Sequence, residues 1–238
     1  MLTLQHSRYL GVQGAWRTFQ DLVKLRLTGA NALACLSGFG LEVALAGSAV
    51  SPLCLTGYGL VAMFGTWMQA ASASIENHLM EVDTDQLMNR TATRPFIDGR
   101  MTLQQGRILS VGLAVGGTCV LGAISPLAAG LGVTNIFLYR GYTFLKRRTS
   151  WNTAVGGVVG AVPPIMGVVA GVDVMERYGE PVSHTLSMGI PHHVALAGLL
   201  GAKLFVWQFP HFFSIAVTHQ DDYRRAGTPT CSWREHAA

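Results

Sequence analysis

The residues best suited to chemistry lie in one run, Asn77-His78-Leu79-Met80-Glu81-Val82-Asp83-Thr84-Asp85, which leads into Met88-Asn89-Arg90-Thr91-Ala92-Thr93-Arg94-Pro95. On a continuous helix, Asn77, Glu81 and Asp85 fall at i, i+4 and i+8 and stack three oxygen ligands along one stripe. Asp83 lies well off that stripe. Hard oxygen donors suit Mg²⁺, which keeps several waters and is usually shared with substrate phosphates. Arg90 and Arg94, again four apart, are suited to neutralise phosphate oxygens. The plainer reading is a solvated helix end. Against it stands the position of these acids, which continue a span-length apolar helix, where ionisable residues are rare and tied to function.

Two further clusters carry polar groups. Tyr142-Thr143-Phe144-Leu145-Lys146-Arg147-Arg148, followed by Trp151-Asn152-Thr153, reads as a basic run that sets topology. It also offers Lys146 and Arg147 to a diphosphate arriving on the same face. Downstream, the small residues from Gly156 to Gly167 permit close helix packing. Pro163-Pro164 interrupts the hydrogen-bond ladder, marking either a cavity wall or a packing kink. The third cluster is Trp207-Gln208-Phe209-Pro210-His211, with His219-Gln220-Asp221-Asp222-Tyr223 beyond it. Trp207 and His211 share a helix face, and Asp222 falls at nearly the same helical angle if the kink at Pro210 is ignored. His211 is either an interhelical hydrogen bonder or a group facing an iron macrocycle. His192 and His193, at the other end of that span, have no matching acidic stripe and read as interfacial. Lys203, in mid-span, either snorkels or lines the cavity.

The elements that must position these groups are helices in a membrane. Of 238 residues, 50% are apolar and only 13% charged, against roughly a quarter charged in ordinary globular domains. The 28 glycines point the same way. Stretches able to span a bilayer are expected at 28–45, 52–75, 108–124, 126–139 (short), 154–172 and 194–217, six in all. With six spans, every Lys and Arg except Arg177 and Lys203 falls on one face. That is the positive-inside asymmetry, and it removes nucleic acid as the reason for the net charge of +4. The basic, acid-poor segment 1–26 fits a presequence remnant or a juxtamembrane arm equally well. Cys35, Cys54, Cys119 and Cys231 are scattered, with no spacing that reads as a disulfide framework or zinc site.

Together the three clusters resemble the UbiA superfamily of intramembrane prenyltransferases, and within it the haem-farnesylating branch (protohaem IX farnesyltransferases, or haem O synthases). The carriers of the resemblance are Asn77, Glu81 and Asp85 as N-x3-E-x3-D, Asn89 to Pro95, Tyr142 to Arg147, Gly160 to Gly167, and Trp207 to Phe212. Lys24-Leu25-Arg26 is similar to that branch's Lys-Pro-Arg, with Leu25 in place of Pro. The resemblance implies an all-α transmembrane bundle over 27–238 behind a basic arm. It implies Mg²⁺ held by Asn77, Glu81 and Asp85, with Lys146 and Asp222 also catalytic. Arg90, Arg94, Tyr142, Arg147, Trp207 and His211 are expected to bind the substrates, farnesyl diphosphate and haem B. It further implies a setting in the lipid bilayer of the mitochondrial inner membrane or a bacterial plasma membrane, and association with itself or with haem A synthase. The alternatives are a UbiA-type enzyme acting on a quinone or chlorophyll precursor, and an inactive membrane protein. Members of the superfamily carry further helices beyond the Asp-Tyr loop, so the bundle is expected to be C-terminally truncated at Ala238.

Overall fold

The computed structural model describes residues 12–47, 50–146, 148–149, 151–178 and 189–225. Arg147, expected at the substrate, lies outside them. The described residues form helices, with no β-strand among them. In chain order these are α1 (Val12–Val23), α2 (Leu25–Ala46), α3 (Pro52–Met80), α4 (Val82–Asp85), α5 (Leu103–Gly122), α6 (Pro126–Leu145), α7 (Asn152–Arg177), α8 (His192–Thr218) and α9 (Gln220–Arg225).

The six long helices run from 20 to 29 residues. Each contains one of the six expected spans almost whole, and the short fourth segment extends to Leu145. At 1.5 Å per residue, even the shortest matches the roughly 30 Å of a bilayer's hydrocarbon core. Composition is less uniform than length. Two of the described helices, α2 and α7, are both long and apolar enough to cross a membrane. The others carry polar residues turned inward: Gln69, Ser72, Ser74, Asn77 and His78 of α3 are buried, as are Ser110 of α5 and Thr143 of α6.

Local signals set the ends. Thr102 and Gln105 form a reciprocal capping box at the start of α5. Ser125 accepts from the Ala128 amide at 3.0 Å ahead of Pro126, which opens α6. Between α1 and α2, Lys24 takes a left-handed backbone (φ 50°), the only non-glycine to do so among the described residues. Lys24 therefore breaks what would otherwise be one helix and turns its side chain inward.

The interior is held by small residues. A Cβ on Gly38 of α2 would sit 2.2 Å from the Pro164 carbonyl oxygen, and one on Gly167 of α7 would sit 1.9 Å from that of Cys35. The two backbones therefore touch directly. Gly65 of α3 and Gly117 of α5 pair in the same way. The proline pair does not end α7, which runs through it; Pro163 lines a cavity, as one reading expected, and the Pro164 carbonyl packs on Gly38.

Candidate active site

The carboxylate stripe is not one continuous helix. α3 stops at Met80, Glu81 takes φ −103° and ψ 6°, and the one-turn α4 follows. Thr84 is the local cause. Its hydroxyl and its amide both donate to the Glu81 carbonyl at 3.0 Å, offering the backbone a partner outside the α3 ladder. The three oxygen-bearing side chains nevertheless stay together. Asn77, Glu81 and Asp85 are 4%, 4% and 3% exposed, whereas Asp83 faces solvent.

Three cations from three different elements meet them. Lys24 Nζ donates to Asn77 Oδ1 at 2.6 Å, and the Asn77 amide donates to Thr143 Oγ1 at 3.3 Å. Lys146 Nζ donates to Glu81 Oε1 at 2.8 Å. Arg94 bridges, 3.5 Å from Glu81 Oε2 and paired with Asp85. Burial works against ionisation of Glu81, but Lys146, Lys24 and Arg94 outweigh it and hold its carboxyl below the ordinary value. For Asp85 burial wins, and its carboxyl lies above the ordinary value despite Arg94. Burial, then the neighbouring Arg94, lowers the Lys24 ammonium from 10.5 to about 7.

Not every expected residue joins this cluster. Arg94 reaches the carboxylates; Arg90 is exposed and contributes its backbone N–H, which donates to Asp222 Oδ2 at 3.3 Å. The turns between Met88 and Arg94 replace the helix on which the two arginines would have shared a face. Asp222 does not continue the Trp207–His211 face, because α8 ends at Thr218 and α9 starts a new direction. Asp222 instead ties α9 to the loop after α4, with Arg225 as its other partner. Trp207 is 61% exposed and stacks on His211, their ring centroids 6.5 Å apart. Lys203 is exposed.

Two cavities lie within about a helical turn of the cluster along the chain, reached through Ser74, Leu27 and Tyr142. One, small and central, is lined by Asn31, Thr66, Gln69, Asn135, Tyr139 and Pro163, among others. Gln69 Oε1 and Asn135 Oδ1 are buried there without protein partners. The second, of about 210 Å³, lies between α2, α6, α7 and α8 and is lined by Tyr139, Tyr142, Gly160, Gln208 and His211. Tyr139 borders both. Its ring meets that of Tyr142 edge-on at 5.6 Å.

Lys24, Thr143, Tyr139 and Gln69 belong to this site and had no assigned role from sequence. Gln69 carried a usable signal, lying two stripe repeats before Asn77 in mid-span, and Tyr139 lies one turn before Tyr142. Nothing local pairs Lys24 with Asn77, which are 53 positions apart.

The fold has known counterparts. The fold matches that of a UbiA homologue from Archaeoglobus fulgidus solved with dimethylallyl diphosphate (DMAPP) and Mg²⁺ (TM-score 0.64, 14% identity, 92% of this chain and 71% of that one). The same homologue solved with geranyl diphosphate (GPP) and Mg²⁺ gives 0.63. The fold is thus that of this UbiA homologue.

The sequence itself matches the profile of the UbiA prenyltransferase family over residues 32–236, and the chain belongs to that family. Similar relatives include the mitochondrial protohaem IX farnesyltransferase of Neurospora crassa, 36% identical over 85% of this chain and 39% of the relative. That of Candida glabrata is 33% identical over 97% and 46%. Protohaem IX farnesyltransferase of Geobacter sulfurreducens is 37% identical over 89% and 70%. The chain spans half or less of the length of the first of these curated relatives.

Proposed function

We propose that this chain carries the farnesyl-transferring site of a protohaem IX farnesyltransferase, moving the isoprenoid of farnesyl diphosphate onto a vinyl group of haem B to give haem O. The observation that carries the reading is the convergence of Asn77, Glu81 and Asp85 with Lys24, Arg94 and Lys146 beside an apolar cavity. Asn77, Glu81 and Asp85 supply an all-oxygen donor set, which fits Mg²⁺ better than any softer ion. Such an ion supplies positive charge against the leaving diphosphate.

The chain's own groups do the rest. Lys24, Arg94 and Lys146, which now hold Asn77, Glu81 and Asp85, are placed to meet diphosphate oxygens and stabilise the charge that develops as the allylic C–O bond breaks. The rings of Tyr139 and Tyr142 line the second cavity. Their faces favour the allylic cation, and the apolar walls keep water from it until carbon–carbon bond formation. His211, Gln208 and Tyr142 are among the polar groups available to orient the macrocycle. Water then captures the cation left on the former vinyl carbon, giving the hydroxyl of the product. The helices sit in a mitochondrial inner membrane or bacterial plasma membrane, with the Lys24, Arg94 and Lys146 end toward matrix or cytoplasm.

The test is expression in cells lacking haem O synthase, with haem extraction and chromatography. Haem O that requires Glu81 and Asp85 is the expected result. Prenylation of a phenolic acceptor with none of haem B would overturn the acceptor assignment, and haem O from the Glu81→Gln, Asp85→Asn double variant at the parental level would overturn the site.

A further inference from the structure

The far end of α2 carries a second cluster that prenyl transfer does not use. Glu42, one turn from the C-terminus of α2, is completely buried. Its Oε1 lies 2.8 Å from Nε2 of His192, the first residue of α8. His193 follows, its ring nearly perpendicular (81°) to that of His192 at 5.6 Å. One ligand atom from each of Glu42, His192 and His193 can be chosen so that all lie within 4.8 Å of one another. A histidine–glutamate hydrogen bond accounts for Oε1 and Nε2 alone. It leaves Glu42 Oε2 buried with no hydrogen-bond partner, and His193 Nδ1 likewise. Buried polar atoms without partners are uncommon, and a fully buried carboxylate oxygen is costly to leave so.

We propose that Glu42, His192 and His193 form a binding site for a divalent transition-metal ion of the zinc class, held by two imidazoles and one carboxylate. One ion between the three side chains would take up donor capacity that the histidine–glutamate hydrogen bond leaves over. Two nitrogens and one oxygen are the donor set of open zinc sites, with a further position for water, whereas Mg²⁺ and Ca²⁺ take oxygen donors. The protein fixes the ligands from two directions. Gly171 of α7 lies against the Glu42 stem, where a Cβ would come within 3.1 Å of its Cβ and Cγ. Pro191 caps α8 and sets where His192 and His193 begin. Glu42 is 18 residues along α2 from Lys24, about 27 Å by helical rise. The proposal does not depend on the farnesyl-transfer reading.

The full chain, purified in detergent, stripped with chelator and dialysed, is titrated with Co²⁺ in excess Mg²⁺, which keeps the carboxylate end occupied. One Co²⁺ per chain is expected, with visible ligand-field bands lost on adding one equivalent of Zn²⁺. Glu42→Gln and His193→Ala should each weaken binding roughly tenfold or more, while Glu81→Gln leaves the titration unchanged. Binding that survives both first variants, or that disappears in Glu81→Gln, overturns the site, as does no stoichiometric band in the parent chain. Should a variant fail to fold, Cu²⁺ bound to the parent chain decides. Superhyperfine splitting from two imidazole nitrogens supports the site, and an all-oxygen spectrum refutes it.

Discussion

The two ends of α2 gather charge in opposite ways. At the Lys24 end, five elements bring three cations to three oxygen-bearing side chains, and every contact is between groups that can be re-paired by an incoming ligand. At the Glu42 end, one carboxylate meets two imidazoles, and two atoms remain without a hydrogen-bond partner. At the first end every one of these groups has a protein partner, three cations against two carboxylates and an amide; at the second, the donors outnumber what they bind. An exchangeable salt-bridge network suits a site that must release an anionic product. An excess of donor atoms suits a site that retains a cation.

The comparison breaks first at Glu81. Glu81→Gln removes a carboxylate that Lys146 and Arg94 both hold and should lower haem O formation by roughly 10²–10³-fold, as loss of one preorganised electrostatic group commonly does. His193→Ala, at the other end, should leave that rate within about twofold, because it touches neither cavity. Chromatography of extracted haem measures both. A large loss in His193→Ala would show that the ends are coupled.

The next effect is on folding. Gly167→Ala places a methyl against the Cys35 carbonyl and should cost about 1–3 kcal/mol or more, seen as a lower midpoint in detergent thermal unfolding. Gly40 of α2, whose Cβ would meet nothing within 4 Å, provides the control, and Gly40→Ala should not destabilise.

Lys24 gives a smaller, pH-dependent effect. Its folded value of about 7 lies below the ordinary 10.5, so the unfolded chain binds the extra proton between those limits. Its contribution to stability is therefore full above about 10.5 and is lost as pH falls toward 7. Lys24→Met should flatten the rise in apparent midpoint between pH 7 and 9 relative to the parent chain. An unchanged slope would mean that Lys24 does not titrate in that window. Smallest of all, Lys203→Ala on the exposed side of α8 should change the midpoint by less than about 0.5 kcal/mol equivalent.

The sequence was informative where a single element carries the information. Apolar runs of membrane length predicted the six long helices nearly to their bounds, because burial along a helix is written in consecutive residues. The grouping of Asn77, Glu81 and Asp85 was visible for the same reason, although the break at Glu81 was not. That break depends on Thr84 bonding backward to a carbonyl, a choice that side-chain periodicity does not encode. Contacts across the bundle were hidden altogether. His192 and His193 read as interfacial because their acid lies 150 positions away on α2. Lys24 seemed one more charge in a basic arm until its left-handed backbone aimed it at Asn77. Asp222 was placed on the Trp207 face only by assuming that α8 continued.

The glycine seam between α2 and α7 bears on how a bulky substrate gets in. Main chain rests on main chain at Gly38 and Gly167, so those two rods cannot part without separating their cores. The α7–α8 joint is upholstered instead: the Phe205 ring lies over Gly157, Gln208 over Gly160 and Ile165 over Gly201. Side chains can swing aside where backbones cannot, which makes α8 the door of the 210 Å³ chamber and α2–α7 its frame. Spin labels at exposed Val158 and Leu199 should then report a broader distance distribution than labels at Leu33 and Val158; equal widths would put the door elsewhere.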